Sequence, residues 1–215
     1  ALIRWNNSRL GHVAPDEFIT IAEQAGLIEQ VTKWVMHQTI SDLAYFREKH
    51  YDFTIAMNLS TQDIQNKALL NELVAFLTEK GLSPASLQLE ITESDLVSDA
   101  TLAVENLSSL RALGFRFAID DFGTGYSSLA YLKNLPVEAI KIDKSFILSL
   151  ATQDNDQQIV HTILSLANIF DLKVVAAALK TRYLKTASCN TLYYNWLYRG
   201  IKTSGLGYLS LGYEN

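Results

Sequence analysis

The 215-residue chain is 48% hydrophobic and carries a formal net charge of −5, which suits one sizeable apolar core and argues against broad nucleic-acid binding, since that needs a basic stripe. Its single cysteine, Cys189, excludes an internal disulfide framework and suits a reducing compartment. No apolar run is long enough to span a bilayer, and without a Cys/His cluster any metal should be hard and oxygen-liganded.

Pro15 starts the first expected helix, with Phe18, Ile19, Ala22 and Leu27 at helical spacing. A second runs from about Ile28 to Lys49 and sets Val31, Trp34, Val35, Ile40, Leu43 and Phe46 on one side. FTIAMNLS follows as a strand in which Phe53, Ile55 and Met57 alternate. Asn66 to Glu79 is amphipathic and stops at Gly81 and the Ser83-Pro84 turn. LQLEIT reads as a strand, Ala100 to Leu113 as a helix stopped by Gly114, and FRFAID and EAIKID as strands. A helix from Gln157 to Phe170 and a strand LKVVAA complete the regular part.

Strand and helix alternate at least five times, so parallel strands with crossover helices are expected. A doubly wound sheet and a β/α barrel both satisfy that alternation. The polar residues favour the barrel: Asn58, Glu90, Asp120 and Lys141 or Asp143 stand at or near the C-terminal ends of different strands. Several strands feeding one ring on the C-terminal face is the barrel arrangement.

Composition changes near Ala176. From Leu172 to Asn215 there are six basic residues and one acid, Glu214, so the preceding part carries −10. Six of the ten tyrosines lie after Lys180. The expected division is therefore a barrel body over residues 1–176 and a divergent tail over 177–215.

AIDDFGTGYSS, from Ala118 to Ser128, sets two adjacent carboxylates where an apolar strand meets a glycine-rich loop. Their charges repel unless cations sit between and around them. Asn58, Glu90, Asp120 and Asp121 form an all-oxygen set suited to Mg²⁺ or Mn²⁺. Two ions about 3.5–4 Å apart are the usual device for in-line attack on a phosphodiester. Glu90 is the sharpest signal, because a charge inside an apolar strand is costly unless paired or metal-bound. Lys141 supplies a positive charge that could orient a water or a phosphate oxygen. Removing one of the two crowded aspartates, as in Asp120→Asn, is expected to stabilise the metal-free protein. Plainer roles compete: strand-end acids often cap helices, and Ser127 and Ser128 suit a cap as well. A lone lysine is commonly solvated, and His12, His37, His50 and His161 share no spacing.

ALIRW at Ala1, MNLS at Met57, LEITES at Leu89, AIDDFGTGYSSLAYLKNLPVEAIKIDKSFI from Ala118 and VVAA at Val174 resemble the EAL domain of bacterial cyclic-di-GMP phosphodiesterases. The resemblance covers about Ala1 to Ala176 in family order. It implies an α/β fold, a TIM-like (β/α) barrel, expected here to be incomplete at both ends. It implies hydrolysis of cyclic di-GMP to linear pGpG with Mg²⁺ or Mn²⁺. By position, Asn58, Glu90 and Asp120 would bind one ion, and Asp120 would bridge to a second that Asp121 also binds. Lys141 would hold the attacking water. Glu93 would brace the loop from Phe122 to Ser128, completing a catalytic set of Lys141, Asp120 and Glu93. Leu2 and Arg4 would contact the dinucleotide, Arg4 through a phosphate. The implied partners are cyclic di-GMP, a second copy of the chain, and a sensory or GGDEF domain upstream. The implied location is the bacterial cytoplasm, with any membrane anchor of the parent protein upstream of Ala1.

The departures from the family are specific. The motif's own Glu and the first barrel strand are expected before Ala1. Where the family reads VAEGVET this chain reads VAAALKT, so Ala177 replaces a metal-site Glu and Lys180 a later Glu. Tyr193 or Leu206 stands where the closing Gln-Gly-Tyr strand is expected. The loss begins where composition changes, which a change of reading frame or a replaced tail near Ala176 would explain. The two-metal site is expected to be compromised and turnover impaired. The alternatives are a non-catalytic EAL module that binds nucleotide or a protein partner, and a gene fragment without function.

Overall fold

The computed structural model describes residues 1–93, 100–125, 132–150 and 153–176. These fall into two compact units, divided within one strand between Ala118 and Ile119 and again between Val137 and Glu138.

The first unit opens with a hairpin that sequence reading did not anticipate, β1 (Trp5–Asn7) and β2 (Gly11–Val13), paired antiparallel with Trp5 opposite Val13. The Asn7 carboxamide oxygen closes the turn by accepting from the backbone N–H groups of Arg9 and Leu10, at 2.8 and 3.2 Å. Helix α1 (Pro15–Gln24) has proline in its first turn, where no donor is lost, and buries Phe18 and Ala22. Trp5 meets Phe18 edge to face at 5.7 Å.

Helix α2 (Ile28–Glu48) buries Ile28, Thr32, Met36, Thr39, Ile40 and Leu43. This corrects the expected stripe. Trp34 is 58% exposed, and the inward face includes two threonines in place of Val31 and Val35. A stripe scored on hydropathy alone passes over a threonine such as Thr32, whose hydroxyl finds a partner inside. In the last turn of α2, Arg47 pairs with Asp52 and donates to the Phe53 carbonyl at 3.4 Å and the buried Ser86 hydroxyl at 3.0 Å. It thereby ties together the entries of β3 (Ile55–Asn58) and β4 (Leu87–Thr92).

Between those strands lie α3 (Thr61–Gln65) and α4 (Lys67–Glu79), capped by Ser60 and Asn66 respectively. Helix α4 buries Leu69, Leu70, Leu73 and Leu77, each worth roughly 1.5–3 kcal/mol when fully removed from water. Strands β3 and β4 pair in parallel, from Ile55 opposite Leu87 to Asn58 opposite Glu90. In β4, Leu87, Leu89 and Ile91 are fully buried while Gln88, Glu90 and Thr92 are half-buried, alternating with the period of a strand. Helix α5 (Ala100–Ala112) buries Ala103, Leu107 and Leu110 and ends before Gly114.

Strand β5 (Arg116–Phe122) carries the division between the units. The second unit holds the end of β5, then β6 (Ala139–Ile142), the short helix α6 (Lys144–Ser149), α7 (Asp154–Ile169) and β7 (Lys173–Ala176). Helix α6 was not expected, and α7 begins three residues before the expected Gln157. Strands β6 and β7 pair in parallel, Ala139 opposite Lys173, and α7 turns Val160, Ile163, Leu164 and Ala167 inward.

The five longer strands form one sheet in the order β3-β4-β5-β6-β7. That order follows the chain without reversal. A doubly wound sheet reverses direction at its switch point, so the strand order favours the barrel pattern. Among the described residues no helix is long and apolar enough to cross a membrane.

Candidate functional site

In the first unit, Asn58 is the last residue of β3 and Glu90 is its register partner on β4. Neighbouring strands lie about 4.8 Å apart, so this carboxamide and carboxylate start from adjacent backbone positions. Beyond Asn58 the backbone stays bound to β4, because the Leu59 N–H donates to the Glu90 carbonyl at 2.8 Å. Glu93 follows β4 directly and is only 4% exposed. Leu2 and Arg4 are exposed, and the Arg4 guanidinium donates to the Ile3 carbonyl at 2.9 Å.

One buried acid in this unit escaped the sequence reading. Asp63 is 1% exposed. Its Oδ2 accepts from the Ser60 N–H at 2.9 Å, the Ser60 hydroxyl at 2.8 Å and the Thr32 hydroxyl at 2.8 Å. The signal was present: Ser60-x-x-Asp63 has the spacing of a reciprocal cap, and both halves of that cap form.

In the second unit the paired aspartates separate into different roles. Asp120 accepts from the Lys141 ammonium at 2.6 Å through Oδ2, both side chains being about one-fifth exposed, and from the Asp121 N–H at 3.0 Å through Oδ1. Asp121 lies in the left-handed region at φ 51°, where aspartate is among the few tolerated non-glycine residues. The Thr124 hydroxyl secures that turn by donating to the Asp121 carbonyl at 2.8 Å. Asp143 caps α6 by accepting from the Ser145 N–H at 2.8 Å, and its own N–H reaches the Phe122 carbonyl at 3.4 Å.

Burial, and then the Asp120 and Asp143 carboxylates, push the Asp121 carboxyl above its ordinary range, while Lys141 draws it back. Asp143 moves the other way. Burial raises it, but hydrogen bonds from the Ser145 side chain and backbone and from Asp121 outweigh that and hold it low. A proton between these two therefore belongs to Asp121. Because Lys141 matches Asp120, the crowding falls on Asp121, and the stabilisation expected from Asp120→Asn moves to Asp121→Asn.

The sign follows from linkage. A carboxyl raised in the folded state contributes stability that is complete below the unfolded value of 3.8 and is lost as pH rises through the raised value. Asp143, being depressed, contributes stability above 3.8 that is lost as pH falls through its lowered value. Asp121→Asn is expected to raise the melting temperature of metal-free protein at pH 7. The gain should be small, about 2 °C, because solvent screens a part-exposed carboxylate. It should shrink in acid, where Asp121 is already neutral. Thermal melts from pH 3 to 8 test this, and the same gain at every pH would remove Asp121 ionisation as its source.

Ser127 and Ser128, Ala177, Lys180, Cys189, Tyr193 and Leu206 lie outside the described residues, as does the rest of the expected tail.

Residues 1–188 match the EAL domain family. The chain belongs to the EAL domain family. Its similarity extends to the bifunctional diguanylate cyclase/cyclic di-GMP phosphodiesterase MucR of Pseudomonas aeruginosa, 38% identical over 197 residues, covering 89% of this chain and 29% of that protein. Among solved structures, the PaMucR phosphodiesterase in complex with c-di-GMP superposes with a TM-score of 0.79 at 37% identity, covering 88% of this chain and 78% of that one. The FimX EAL domain from P. aeruginosa, bound to c-di-GMP, gives 0.75 at 28% identity, covering 91% and 76%. This EAL domain spans less than a third of the length of the curated relatives it matches. Its alternating elements and five-stranded sheet are those of an incomplete TIM-like barrel.

The donor chemistry of the EAL domain suits a hard divalent cation. The carboxylates of the second unit call for positive charge: Asp120 takes the Lys141 ammonium, and the Asp121 carboxyl is raised by burial and by the carboxylates beside it. An ion would supply that charge to both. Among the described residues, no three His, Cys, Asp or Glu side chains gather closely enough to hold an ion unaided. Backbone, carboxamide, water or phosphate oxygens would therefore complete its shell, as is usual for Mg²⁺.

Proposed function

We propose that this EAL domain binds cyclic di-GMP and hydrolyses it slowly to linear pGpG with Mg²⁺ or Mn²⁺. The observation that carries the proposal is the contact at 2.6 Å between Lys141 and Asp120, beside an Asp121 crowded by the Asp120 and Asp143 carboxylates. This is a poised charge system in a chain of a phosphodiesterase-containing family. By the resemblance, Asn58, Glu90, Asp120 and Asp121 are the proposed ligands. When bound, the ions supply Lewis acidity toward a phosphate oxygen and lower the pKa of water.

The remaining roles fall to the chain's own groups. The Lys141 ammonium, released from Asp120, donates a hydrogen bond that holds the water in line with phosphorus. The Asp121 carboxyl, raised by burial and by Asp120 and Asp143, would be drawn down by positive charge beside it. The Arg4 guanidinium leaves the Ile3 carbonyl for a phosphate oxygen, a stronger charge-assisted partner. Leu2, 74% exposed, offers apolar surface to a base. Glu93 acts from behind as a brace. Cyclic di-GMP signalling places the domain in the bacterial cytoplasm, beside sensory or GGDEF domains of a longer protein and in reach of a second copy.

Ala177, standing where the resemblance places a metal-site Glu, favours a second reading, a module that binds the nucleotide without turning it over. Calorimetric titration with cyclic di-GMP, and chromatography of pGpG in Mn²⁺, separate the two. The expected result is measurable binding with hydrolysis below roughly one-hundredth of an intact EAL domain, the scale on which losing a supporting group at a metal site is felt. Binding without any pGpG supports the second reading, and no binding removes both.

A further inference from the structure

Helix α3 has only five residues, too few to be stable by itself, so its position must come from tertiary bonds. Two buried side chains provide them. The Thr32 hydroxyl reaches Asp63 from α2 at 2.8 Å, and the Asn106 carboxamide donates to the Ile64 carbonyl from α5 at 2.9 Å. Helix α3 packs against α2, α4 and α5. A helix cap alone does not require a buried charge, since an exposed acid caps as well. Here the carboxylate is 1% exposed and gathers both Ser60 donors together with a hydroxyl from another helix. Removing a charged acceptor from such a cluster strands every donor that faced it.

Only Leu59 and Ser60 lie between Asn58 and Thr61, the first residue of α3. Leu59 is buried at 3% exposure and bound to Glu90 through its N–H, and Ser60 is bound to Asp63 through both its N–H and its hydroxyl. The exit of β3 is thus clamped to β4 on one side and, through Asp63, to α2 on the other. Asn58 is the residue the clamp delivers.

We infer that Asp63 is a positioning residue for Asn58, fixing the β3 exit so that the carboxamide stays beside Glu90. The inference rests on the metal-binding role proposed above for that pair. A displacement of about 1 Å at a reacting group can cost about 100-fold, and loss of a supporting partner at a metal site typically costs ~10–100-fold in affinity.

The test is a Mn²⁺ titration of the full chain followed by electron paramagnetic resonance of the free ion. Circular dichroism establishes that each variant is folded at the titration temperature. Asp63→Ala is expected to weaken Mn²⁺ binding about 10-fold or more. Asp63→Asn keeps an acceptor oxygen and should restore most of that loss. Thr32→Val removes one donor to Asp63 at constant shape and should give an intermediate loss; it carries the test if Asp63→Ala does not fold. Asn58→Ala is the reference. If Asn58→Ala weakens Mn²⁺ binding while folded Asp63→Ala and Thr32→Val bind as the parent does, Asp63 is only a cap and the inference falls alone. If Asn58→Ala leaves Mn²⁺ affinity unchanged, the metal reading of that pair falls and takes the inference with it.

Discussion

Asp120→Asn is expected to lower Mn²⁺ affinity and any pGpG formation by about 100-fold or more, since a ligand should matter at least as much as the groups that support it. The side chain is the partner of Lys141 and the neighbour that loads Asp121. The amide keeps the shape and one acceptor oxygen but removes the charge, so the effect is electrostatic. Two consequences should accompany the loss. Lys141 no longer has a carboxylate at 2.6 Å and its ammonium becomes freer. Asp121, raised first by burial and next by Asp120, should titrate closer to its ordinary range, which carboxyl NMR can follow. Because the ion pair is lost as the crowding is relieved, metal-free stability should change little. Unaltered Mn²⁺ affinity would remove Asp120 from the metal site, and an unaltered Asp121 midpoint would refute the charge coupling.

Among the glycines whose surroundings are described, Gly123→Ala should produce the largest stability loss. A Cβ there would stand 2.9 Å from Phe146 Cε2 and 3.1 Å from Ile163 Cδ1, at φ +102°. Phe146 belongs to α6 and Ile163 to α7, so the residue after the aspartate strand lies directly on both helices. Overpacking costs about 1–3 kcal/mol, and the backbone conformation adds about 1–3 kcal/mol. Gly26 is the control, because at φ +67° a Cβ there meets nothing within 4 Å, which leaves only the backbone penalty. At about 2–4 °C per kcal/mol for a chain of this size, Gly123→Ala should melt some 5–15 °C below the parent and clearly below Gly26→Ala. Equal losses for the two variants would show that the space around Gly123 is not limiting.

Much of the fold was legible because its signals are local. Proline opening α1, the Leu repeat of α4 and the alternation in β4 each need only neighbours in sequence. Glu90 stood out for the same reason, as a charge in an apolar strand. What stayed hidden depends on partners distant along the chain. The inward face of α2 includes Thr32, and nothing near Thr32 reveals that Asp63, 31 residues later, accepts its hydroxyl. Likewise the DD pair announced crowding but not its bearer. Only the meeting of Lys141 with Asp120 and of Asp143 with Asp121 transfers the burden to Asp121. The hairpin and α6 are short and weakly periodic, so turn bonds and packing define them more than pattern does.

Arg47 divides the duties of β3 and β4 between their two ends. It fastens their entries through Asp52, Phe53 and Ser86, while Asn58 and Glu90 sit three residues further along each strand. Fastening and the proposed metal binding therefore draw on separate residues of the same strands. Such a scaffold can lose a rim acid and keep its shape, so working and idle versions of one rim can be inherited on the same foundation.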